Sequence, residues 1–342
     1  MKLKNLSVKI KIPKLLENKL NNKKINQIYK RFEKSLNINK NFVVAVSGGP
    51  DSLALAFLAK IYAIKFKLEA KFLIIDHKLR KESTNEARSV KKLLNQYLIS
   101  SEILSWKGKK PSKNIQSLAR NERYKLLFKQ CDKFKIKNIL LGHHQDDLFE
   151  NFFIRMLRGS GLKGLVSLDT KNTIGKKNLL RPLLDQKKND LIFISKKVFN
   201  FYVEDPSNKD EKYLRIKVRK LIKELKKNGL DRKKFFKTIT NLKQSNNIVD
   251  LSVIENIKKN TFFSKKMNRI ILNINFFQQP YEVTFRSLSE SIKLIGHKYY
   301  SARGKKLDKL IHDIKQNKLF RVTLGGCIVE KVNQTVIITK EY

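Results

Sequence analysis

The sequence predicts an α/β fold, a parallel sheet with helices on both faces, followed by a smaller α+β domain at the C-terminus. Up to residue 141, short apolar runs typical of buried strands alternate with helical segments, which is the pattern of a parallel sheet. Beyond Asn228 and Gly229, helical segments mix with short alternating strands. We therefore expect two domains, residues 1–225 and 226–342, which is also the number that a chain of 342 residues favours.

The elements are predicted in the following order. A basic stretch, residues 15–36, is interpreted as a solvated leading helix. The first domain then has strands beginning at residues 42, 71, 103 and 138, and helices at 53–66, 84–98, 115–134 and 148–157, with a helical pattern over 191–225. For the second domain we predict helices at 230–243, 285–295 and 305–317, and strands at 269–274, 321–324, 327–332 and 336–340.

The composition describes a folded and strongly basic protein. A hydrophobic content of 41% is enough for real cores, so a disordered basic tail is excluded. The 75 Lys and Arg residues outnumber 30 Asp and Glu residues, giving a formal charge of +45. This charge indicates a polyanionic partner such as nucleic acid. The alternative is a lysine-rich surface that only reflects an AT-rich genome.

Cysteine usage and hydropathy favour a cytoplasmic protein. Cys131 and Cys327 form no C-x-x-C motif, so neither a zinc knuckle nor a disulfide framework is indicated, and a reducing compartment fits. No window approaches eighteen apolar residues, and the N-terminus has no continuous apolar region. We therefore predict no membrane span, no signal peptide and no membrane partner.

The most informative segment is the turn that follows the first strand. It reads Ser47, Gly48, Gly49, Pro50, Asp51 and Ser52. The two glycines allow a tight turn whose amides point to one spot, and the next helix adds its positive dipole end, so the turn suits a pyrophosphate. The Asp51 carboxylate makes sense beside phosphates mainly if Mg²⁺ bridges them.

The turn lacks the lysine of a P-loop, and no G-x-x-x-x-G-K-S/T match occurs in the chain. A P-loop lysine typically serves γ-phosphoryl transfer, whereas amides and hydroxyls can hold a leaving pyrophosphate. The turn resembles the Ser-Gly-Gly-x-Asp-Ser signature of the PP-loop ATP pyrophosphatase superfamily. That resemblance implies ATP cleavage between the α and β phosphates and an adenylated substrate.

A second cluster, residues 142–151, packs two histidines and three carboxylates into a strand-to-helix transition. It could bind two metals for phosphodiester hydrolysis, or complete an ATP site in which Asp147 and Glu150 hold a cationic second substrate, or only cap the helix. Ligands of parallel sheets lie beyond the carboxyl ends of the strands. We therefore expect this cluster, Asp76 with His77, and the glycine turn to meet in one crevice.

Three further motifs are ambiguous from the residues alone. The run 159–164 matches G-x-G-x-x-G, but it follows a helix and not a strand, so we interpret it as a basic loop or a helix-ending linker. The polar turn 204–208 before Arg215 and Arg219 is either functional or a helix cap. Arg120 and Arg123 share one helical turn, where water is the favoured partner.

The ordered set of motifs resembles the tRNA(Ile)-lysidine synthetase family over about the first 220 residues. The matching residues are the turn 47–52, Asp76-His77-x-Leu79-Arg80, Ala119-Arg120 with Arg123-Tyr124, Gly142-His-His-x-Asp-Asp147 through Glu150, Arg155 with Arg158-Gly-Ser-Gly161 and Gly164-Leu165, Arg181-Pro-Leu-Leu184, and Glu204-Asp-x-Ser-Asn208 with Arg215 and Arg219. Asn151 stands where many members carry threonine. The second domain is similar only through its Gly325-Gly326 turn, and we expect no room for the further C-terminal domain of the family's long form.

The resemblance implies a Rossmann-like, adenine nucleotide alpha hydrolase-like fold, ATP and Mg²⁺ as cofactors, and ligation of free L-lysine to the wobble cytidine of isoleucine tRNA with anticodon CAU. The implied ATP-binding residues are Ser47, Gly48, Gly49, Pro50, Asp51, Ser52, Asp76, His77, Arg120 and His143, with Asp51 also on Mg²⁺. The implied catalytic residues are Asp51, Asp147, Glu150 and Arg158. The implied tRNA-binding residues are Arg155, Arg215 and Arg219, together with the basic second domain.

Other functions stay open at this point. They are a PP-loop tRNA thiolase, a metal-dependent phosphodiesterase and an RNA-binding protein without catalysis. The oligomeric state is also open, with a homodimer as one option.

Overall fold

The computed structural model describes residues 12–79, 82–108, 115–203, 214–264, 267–297, 302, 304–318 and 321–341, with side chains from residue 118 onward in the helix that begins at 115. The chain divides into two compact units, Met1–Asp231 (unit 1) and Arg232–Tyr342 (unit 2). Within the described residues, no helix has the length and apolar character needed to cross a membrane.

Unit 1 alternates strands and helices for most of its length. Its helices are α1 Lys14–Leu20, α2 Lys23–Leu36, α3 Pro50–Lys65, α4 Ser83–Gln96, α5 Ile115–Lys133, α6 Gln145–Met156, α7 Leu162–Leu165, α8 Lys188–Phe199 and α9 Leu214–Lys227. Its strands are β1 Phe42–Val46, β2 Ala70–Asp76, β3 Ser101–Ser105, β4 Asn138–Leu140, β5 Lys171–Ile174 and β6 Lys177–Leu180.

The sheet of unit 1 has the order β3-β2-β1-β4-β6-β5. All neighbouring strands are parallel except β5, which pairs antiparallel with β6 at one edge. The connection from β1 leads to one side of the sheet and that from β3 to the other, so the edge between β1 and β4 is the topological switch point. The predicted α/β fold is confirmed, and the short, polar β5–β6 hairpin is an addition that the sequence pattern did not indicate.

Helices cover both faces of this sheet. Along β1, Val44 faces a core formed with α1 to α4 and α8, whereas its neighbour Val43 faces a second core formed with α5. Strand β4 alternates in the same way, with Leu140 in the first core and Ile139 in the second. Helix α3 is buried nearly all round, which explains why its sequence is almost continuously apolar.

The leading basic stretch forms two helices and not one. Asn22 separates them, and its side chain accepts hydrogen bonds from the backbone N–H groups of Lys24 and Ile25 at the start of α2. Ile28 and Phe32 on α2 are fully buried in the core. The interpretation as a solvated helix therefore holds only for its lysine-bearing face.

Unit 2 is the smaller α+β unit that was predicted. It contains α10 Arg232–Asn260, β7 Thr261–Ser264, β8 Arg269–Leu272, the 3₁₀ helix Ile274–Phe277, α11 Tyr281–Ile295, α12 Gly304–Lys315, β9 Arg321–Leu324, β10 Cys327–Val332 and β11 Thr335–Lys340. The strands form one antiparallel sheet in the order β7-β8-β11-β10-β9. The apolar faces of α11 and α12 contribute to the same core as this sheet.

Helix α10 is much longer than the predicted 230–243. Its continuation carries Asn246 and Asn256, which are polar residues that usually weaken a helix. Here both are buried and satisfied by α11, because Arg286 donates to Asn246 Oδ1 at 2.8 Å and Asn256 donates to Ser287 Oγ at 3.1 Å. Tertiary contacts therefore stabilise a segment whose own composition favours a loop.

Candidate active site

The glycine turn between β1 and α3 has a backbone that only glycine adopts without strain. Gly48 has a φ of +83°, and a Cβ at this position would lie 2.6 Å from Val90 Cγ2. The Gly48 carbonyl also accepts a hydrogen bond of 3.0 Å from the backbone N–H of Val203. The turn is thus enclosed by neighbouring elements, and its shape depends on the missing side chain.

The hydroxyl of Ser52 holds the rest of the turn in place through two hydrogen bonds. Ser52 Oγ accepts from the Ser47 N–H at 3.1 Å and donates to the Gly49 carbonyl at 2.9 Å. Gly49 is extended and precedes Pro50, the first residue of α3. A sixteen-residue helix therefore begins at the turn and directs its positive end toward it.

The turn opens onto a cavity of about 320 Å³ at the carboxyl ends of β1, β2 and β4. The cavity is lined by Ala45, Val46, Ser47, Gly49, Asp51, Ser52, Ile74, Ile75, His77, Leu79, Ser83, Glu86, Ala87, Arg123, Leu141, Gly142 and His143. The structure therefore brings together residues from all three polar groups of the sequence. Four predicted ATP-binding residues are not on the cavity wall, namely Gly48, Pro50, Asp76 and Arg120.

The Asp51 carboxylate is only half satisfied. Its Oδ2 lies 3.4 Å from His144 Nε2, whereas its Oδ1 is buried without a hydrogen-bond partner among the described residues. An unpaired carboxylate oxygen beside an anion cradle fits a Mg²⁺ ion, which commonly takes one or two protein carboxylates and completes its shell with phosphates and water. The described part of the chain has no group of three or more His, Cys, Asp or Glu side chains that could hold a metal alone.

His144 links Asp51 to the acidic cluster on α6. Its Nδ1 accepts from the Asp146 N–H at 3.2 Å, which leaves the proton on Nε2, and Nε2 lies 3.5 Å from Asp147 Oδ2. Burial lowers the pKa of His144, but the hydrogen bond with Asp51 and the charges of Asp147, Asp51 and Asp146 outweigh burial and raise it above its ordinary value. The sequence placed both histidines in the cluster expected at this crevice, but only His143 was assigned to ATP binding.

The other two histidines of the cavity are neutral. Burial, together with the charge of Arg123, lowers the pKa of His77 to about 4. Burial lowers the pKa of His143 to about 3, with Arg181 among the charges that add to the effect. His77 Nε2 accepts from the Arg123 guanidinium at 3.3 to 3.4 Å. The Nδ1 atoms of both histidines are buried and lack hydrogen-bond partners among the described residues.

The Asp76 carboxylate accepts hydrogen bonds from the residues that follow it in the chain. Its Oδ1 accepts from the Lys78 N–H and from Ser83 Oγ, both at 2.9 Å, and its Oδ2 accepts from Thr84 Oγ1 at 2.8 Å. Burial raises the pKa of the Asp76 carboxyl, but these hydrogen bonds together lower it below its usual value. The carboxylate thus shapes the β2–α4 loop, and its contact with the adenosine end stays a prediction.

The arginine of helix α5 that lines the cavity is not the one that the sequence motif assigned to ATP. Arg123 lines the cavity, whereas Arg120 stacks over the Tyr124 ring at 5.2 Å and donates to the Tyr124 hydroxyl at 3.2 Å. Both arginines stood in the same sequence motif, and the position three residues later on the helix is the one that faces the sheet. The assignment of Arg120 to ATP stays a prediction.

The acidic residues of α6 are paired with the arginines of α9. Arg215 donates from Nε to Glu150 Oε2 at 2.5 Å and from a terminal nitrogen to Asp147 Oδ1, and Arg219 Nε donates to Glu150 Oε1 at 2.6 Å. Burial raises the pKa of Asp147, but His144 and Arg215 outweigh burial and lower it. The structure therefore joins two predicted pairs, the carboxylates and the arginines, in one ion-pair cluster.

The remaining predicted residues lie away from the cavity wall or outside the described residues. Arg155 is in the last turn of α6, and Arg158 is exposed just beyond that helix. Because α6 and not a strand precedes the glycine run 159–164, the run is not a dinucleotide fingerprint. Arg80 and the polar turn 204–208 lie outside the described residues.

Comparison with known proteins adds three findings. Residues 17–225 match the family model of the PP-loop domain. The chain is 35% identical over 312 residues to the tRNA(Ile)-lysidine synthase of Orientia tsutsugamushi (strain Boryong), covering 89% of this chain and 70% of that protein. It is 32% identical over 321 residues to the tRNA(Ile)-lysidine synthase of Wolbachia pipientis wMel, covering 89% and 71%.

A solved structure is similar in fold alone. The U34-tRNA thiolase NcsA from Methanococcus maripaludis, with its 4Fe-4S cluster, matches with a TM-score of 0.56 at 19% identity, over 65% of this chain and 79% of that chain.

Proposed function

Since this chain belongs to the tRNA(Ile)-lysidine synthase family of PP-loop enzymes, we propose that it ligates free L-lysine to the wobble cytidine of isoleucine tRNA with anticodon CAU, in the cytoplasm. The reaction has two steps. The carbonyl oxygen of the cytidine attacks the α-phosphate of ATP and releases pyrophosphate. The side-chain amine of lysine then attacks the activated ring carbon, and the oxygen leaves with AMP.

One observation carries this proposal. The anion cradle of the turn and the acidic cluster of α6 are joined through a single buried histidine, because His144 Nε2 faces both Asp51 and Asp147. A pyrophosphate held by the turn would therefore lie beside carboxylates suited to a cationic second substrate. That juxtaposition fits an enzyme that activates with ATP and then adds an amine.

The residues of the glycine turn act in the first step, the release of pyrophosphate. Ser47, Gly49 and Ser52 line the cavity, and the Ser47 hydroxyl with the amides of the turn would donate to the leaving pyrophosphate. Asp51 would hold Mg²⁺ through its unpaired Oδ1. When bound, the ion would neutralise the negative charge of the phosphates. Neutral His77 and His143 leave the cavity without further positive charge from imidazole.

Asp147 and Glu150 act in the second step, the attack of the lysine amine. A site that already accepts two guanidinium groups on two carboxylates is chemically able to accept an ammonium group. Free lysine has a side-chain pKa of roughly 10.4, so its amine must lose a proton before it attacks. Carboxylates at this place would steer the amine, and a base there would accept the proton. The target base must leave its stack to reach this point, which is easier for an unpaired anticodon base.

The arginines have a charge-balancing task in this proposal. Arg155 and Arg158 would offset the phosphate charge of ATP or tRNA, and the catalytic task that the resemblance implies for Arg158 is part of this proposal. Arg215 and Arg219 would contact tRNA from α9 and, through their ion pairs, orient Asp147 and Glu150.

The test is transfer of labelled lysine to the CAU isoleucine tRNA by purified protein with ATP and Mg²⁺. We expect labelled tRNA, one AMP and one pyrophosphate for each lysine transferred, and the mass increase of lysine with loss of water. Absence of label on a correctly folded tRNA would refute the proposal. A mass increase of sulfur in place of oxygen would indicate a thiolase, and phosphodiester products without pyrophosphate would indicate a phosphodiesterase.

A variant separates catalysis from plain RNA binding. Asp51→Asn is expected to lose roughly 10²-fold or more of ligation activity while tRNA affinity is unchanged. Glu224→Gln, which neutralises an exposed carboxylate that pairs with Lys227, is the matched control and is expected to retain activity. If Asp51→Asn ligated lysine at the normal rate, the carboxylate would have no catalytic task.

A further inference from the structure

Unit 2 contains a groove between α12 and β9 that lies outside the active site. We define the α12–β9 groove by the residues that line it, which are Lys306, Lys309, Leu310, Asp313, Lys318, Arg321, Val322, Thr323 and Leu324. Its volume is about 470 Å³, larger than the cavity beside the glycine turn. No part of the proposed chemistry uses it.

The groove concentrates positive charge. Four of its residues are cations and one is a carboxylate, which gives a net charge of 4 − 1 = +3. Among the residues that the structure describes, none of these four cations forms an ion pair. Elsewhere in unit 2, Arg286 pairs with Asp250 and Lys259 pairs with Glu255. The groove therefore gathers four cations that its one carboxylate, Asp313, does not balance.

The cations meet because of how α12 packs. Leu307, Ile311 and Ile314 are buried in the core of unit 2. Lys306 and Lys309 are one helical turn apart and line the groove together. A lysine excess that only reflected codon usage would place cations without regard to surface shape, whereas here they share one concave site.

Strand β9 adds neutral donors to the same groove. Among the described strands it is the last of its sheet, with β10 as its neighbour. The backbone N–H groups on its other side therefore face the open edge. Val322 is 37% exposed at that edge. A row of cations beside an open strand edge suits a ligand with repeated negative charges and some apolar surface between them.

We propose that the α12–β9 groove binds the sugar-phosphate backbone of the tRNA substrate. A backbone carries one charge for each nucleotide and can bring more than one phosphate to the four cations, whereas a single phosphate would engage only part of them. The proposal rests on the proposed function for the identity of the RNA, and its own content is where unit 2 contacts that RNA.

The test compares two variants that each lose four positive charges. The groove variant is K306Q/K309Q/K318Q/R321Q. The control variant is K233Q/K237Q/K258Q/K315Q, which changes four exposed lysines of unit 2 outside the groove. The affinity for the CAU isoleucine tRNA is measured without ATP over a range of salt concentrations.

Each phosphate contact contributes roughly 0.7 to 0.9 to the slope of log affinity against log salt. We expect the groove variant to reduce that slope by about 3 and to weaken binding by about 10- to 100-fold at physiological salt. The control variant is expected to weaken binding less than about 3-fold. Equal losses in both variants would show that only the total charge matters, and would overturn the proposal.

Two further measurements address a groove variant that does not fold and the binding of free phosphate. If the groove variant does not fold, the single change Lys309→Gln is expected to lower the slope by about 0.8, and Lys309→Arg is expected to retain it. Calorimetry with inorganic phosphate tests the other source of phosphate. Tight binding of free phosphate that the groove variant abolishes would assign the groove to a small anion and overturn the RNA proposal.

The two proposals fail in different ways. A protein that transfers no lysine but loses salt-dependent RNA binding only in the groove variant contradicts the proposed function and supports the groove. If the protein makes lysidine but wild type and groove variant bind tRNA equally well, the proposed function is supported and the groove proposal is contradicted.

Discussion

Arg215 Nε lies 2.5 Å from Glu150 Oε2, and this contact joins helices α9 and α6 across sixty-five residues of sequence. The Glu150 side chain is only 5% exposed, and its other oxygen accepts from Arg219 at 2.6 Å. A buried carboxylate without such partners would be strongly unfavourable. The arginines are therefore part of the site's structure, in addition to the RNA contact proposed for them.

Replacing Arg215 by alanine is expected to lower the free energy of unfolding by about 1 to 3 kcal/mol, because Glu150 and Asp147 lose a charged donor while Arg219 still holds one Glu150 oxygen. Urea denaturation measures this. The double variant Arg215→Ala/Glu150→Gln is expected to recover part of the loss, since the uncompensated charge is removed. Lys223→Ala, an exposed change on the same helix, is the control. Equal stabilities of Arg215→Ala and wild type would contradict a structural role for the pair.

The lowered pKa of His77 predicts that the protein becomes less stable in mild acid. Its pKa falls from 6.5 to about 4 in the folded protein because of burial and Arg123. Below pH 6.5 the unfolded chain binds a proton that the folded chain refuses, so stability decreases as the pH falls from 6.5 toward 4. The slope from this group is at most about 1.4 kcal/mol for each pH unit.

In His77→Gln that contribution is absent. Urea unfolding on either side of this window should therefore show a smaller acid loss in the variant than in wild type. Parallel curves for the two proteins would mean that His77 titrates normally.

The sequence predicted the elements whose local pattern agrees with their environment. Strand β1 is a run of apolar residues because both faces of the sheet are covered, and the glycine turn follows it directly. These features are local, so the nucleotide cradle and the alternation of strands and helices along the chain could be predicted without a structure.

Contacts between distant segments could not be predicted in this way. The extension of α10 depends on Arg286, which lies forty residues after Asn246 and donates to it. The choice between Arg120 and Arg123 depends on which side of α5 faces the sheet, and α5 has no clear apolar stripe to show that side. The pairing of Arg215 with Glu150 also needs the fold, since either residue alone is an ordinary surface charge in the sequence.

The two arginines of α5 are expected to differ in their effect on ATP. Arg123 lines the cavity, so Arg123→Ala should raise the KM for ATP by about 10-fold, equivalent to about 1.4 kcal/mol. Arg120→Ala should change it less than about 3-fold, because Arg120 interacts with Tyr124 outside the cavity wall. Steady-state kinetics with both variants decide the point. The reverse order would restore the assignment of ATP to Arg120 that the sequence motif implies.

Serine substitutions at the two adjacent glycines are expected to have opposite outcomes. Gly48→Ser places a side chain at a φ of +83° and a Cβ within 2.6 Å of Val90 Cγ2, so we expect a loss of about 2 kcal/mol or more in unfolding free energy. Gly49 has a φ of −69° and precedes α3, where serine is a favoured capping residue, and its nearest foreign atom would be 3.9 Å away. Gly49→Ser should therefore fold with nearly unchanged stability.

Val90→Ala provides the internal check on the first of these changes. Combined with Gly48→Ser, it should recover the part of the loss that comes from the steric overlap and leave the part that comes from the left-handed backbone. Thermal unfolding of the single and double variants separates the two contributions. If Gly48→Ser and Gly49→Ser were equally stable, the turn in solution would differ from the one that shapes this nucleotide cradle.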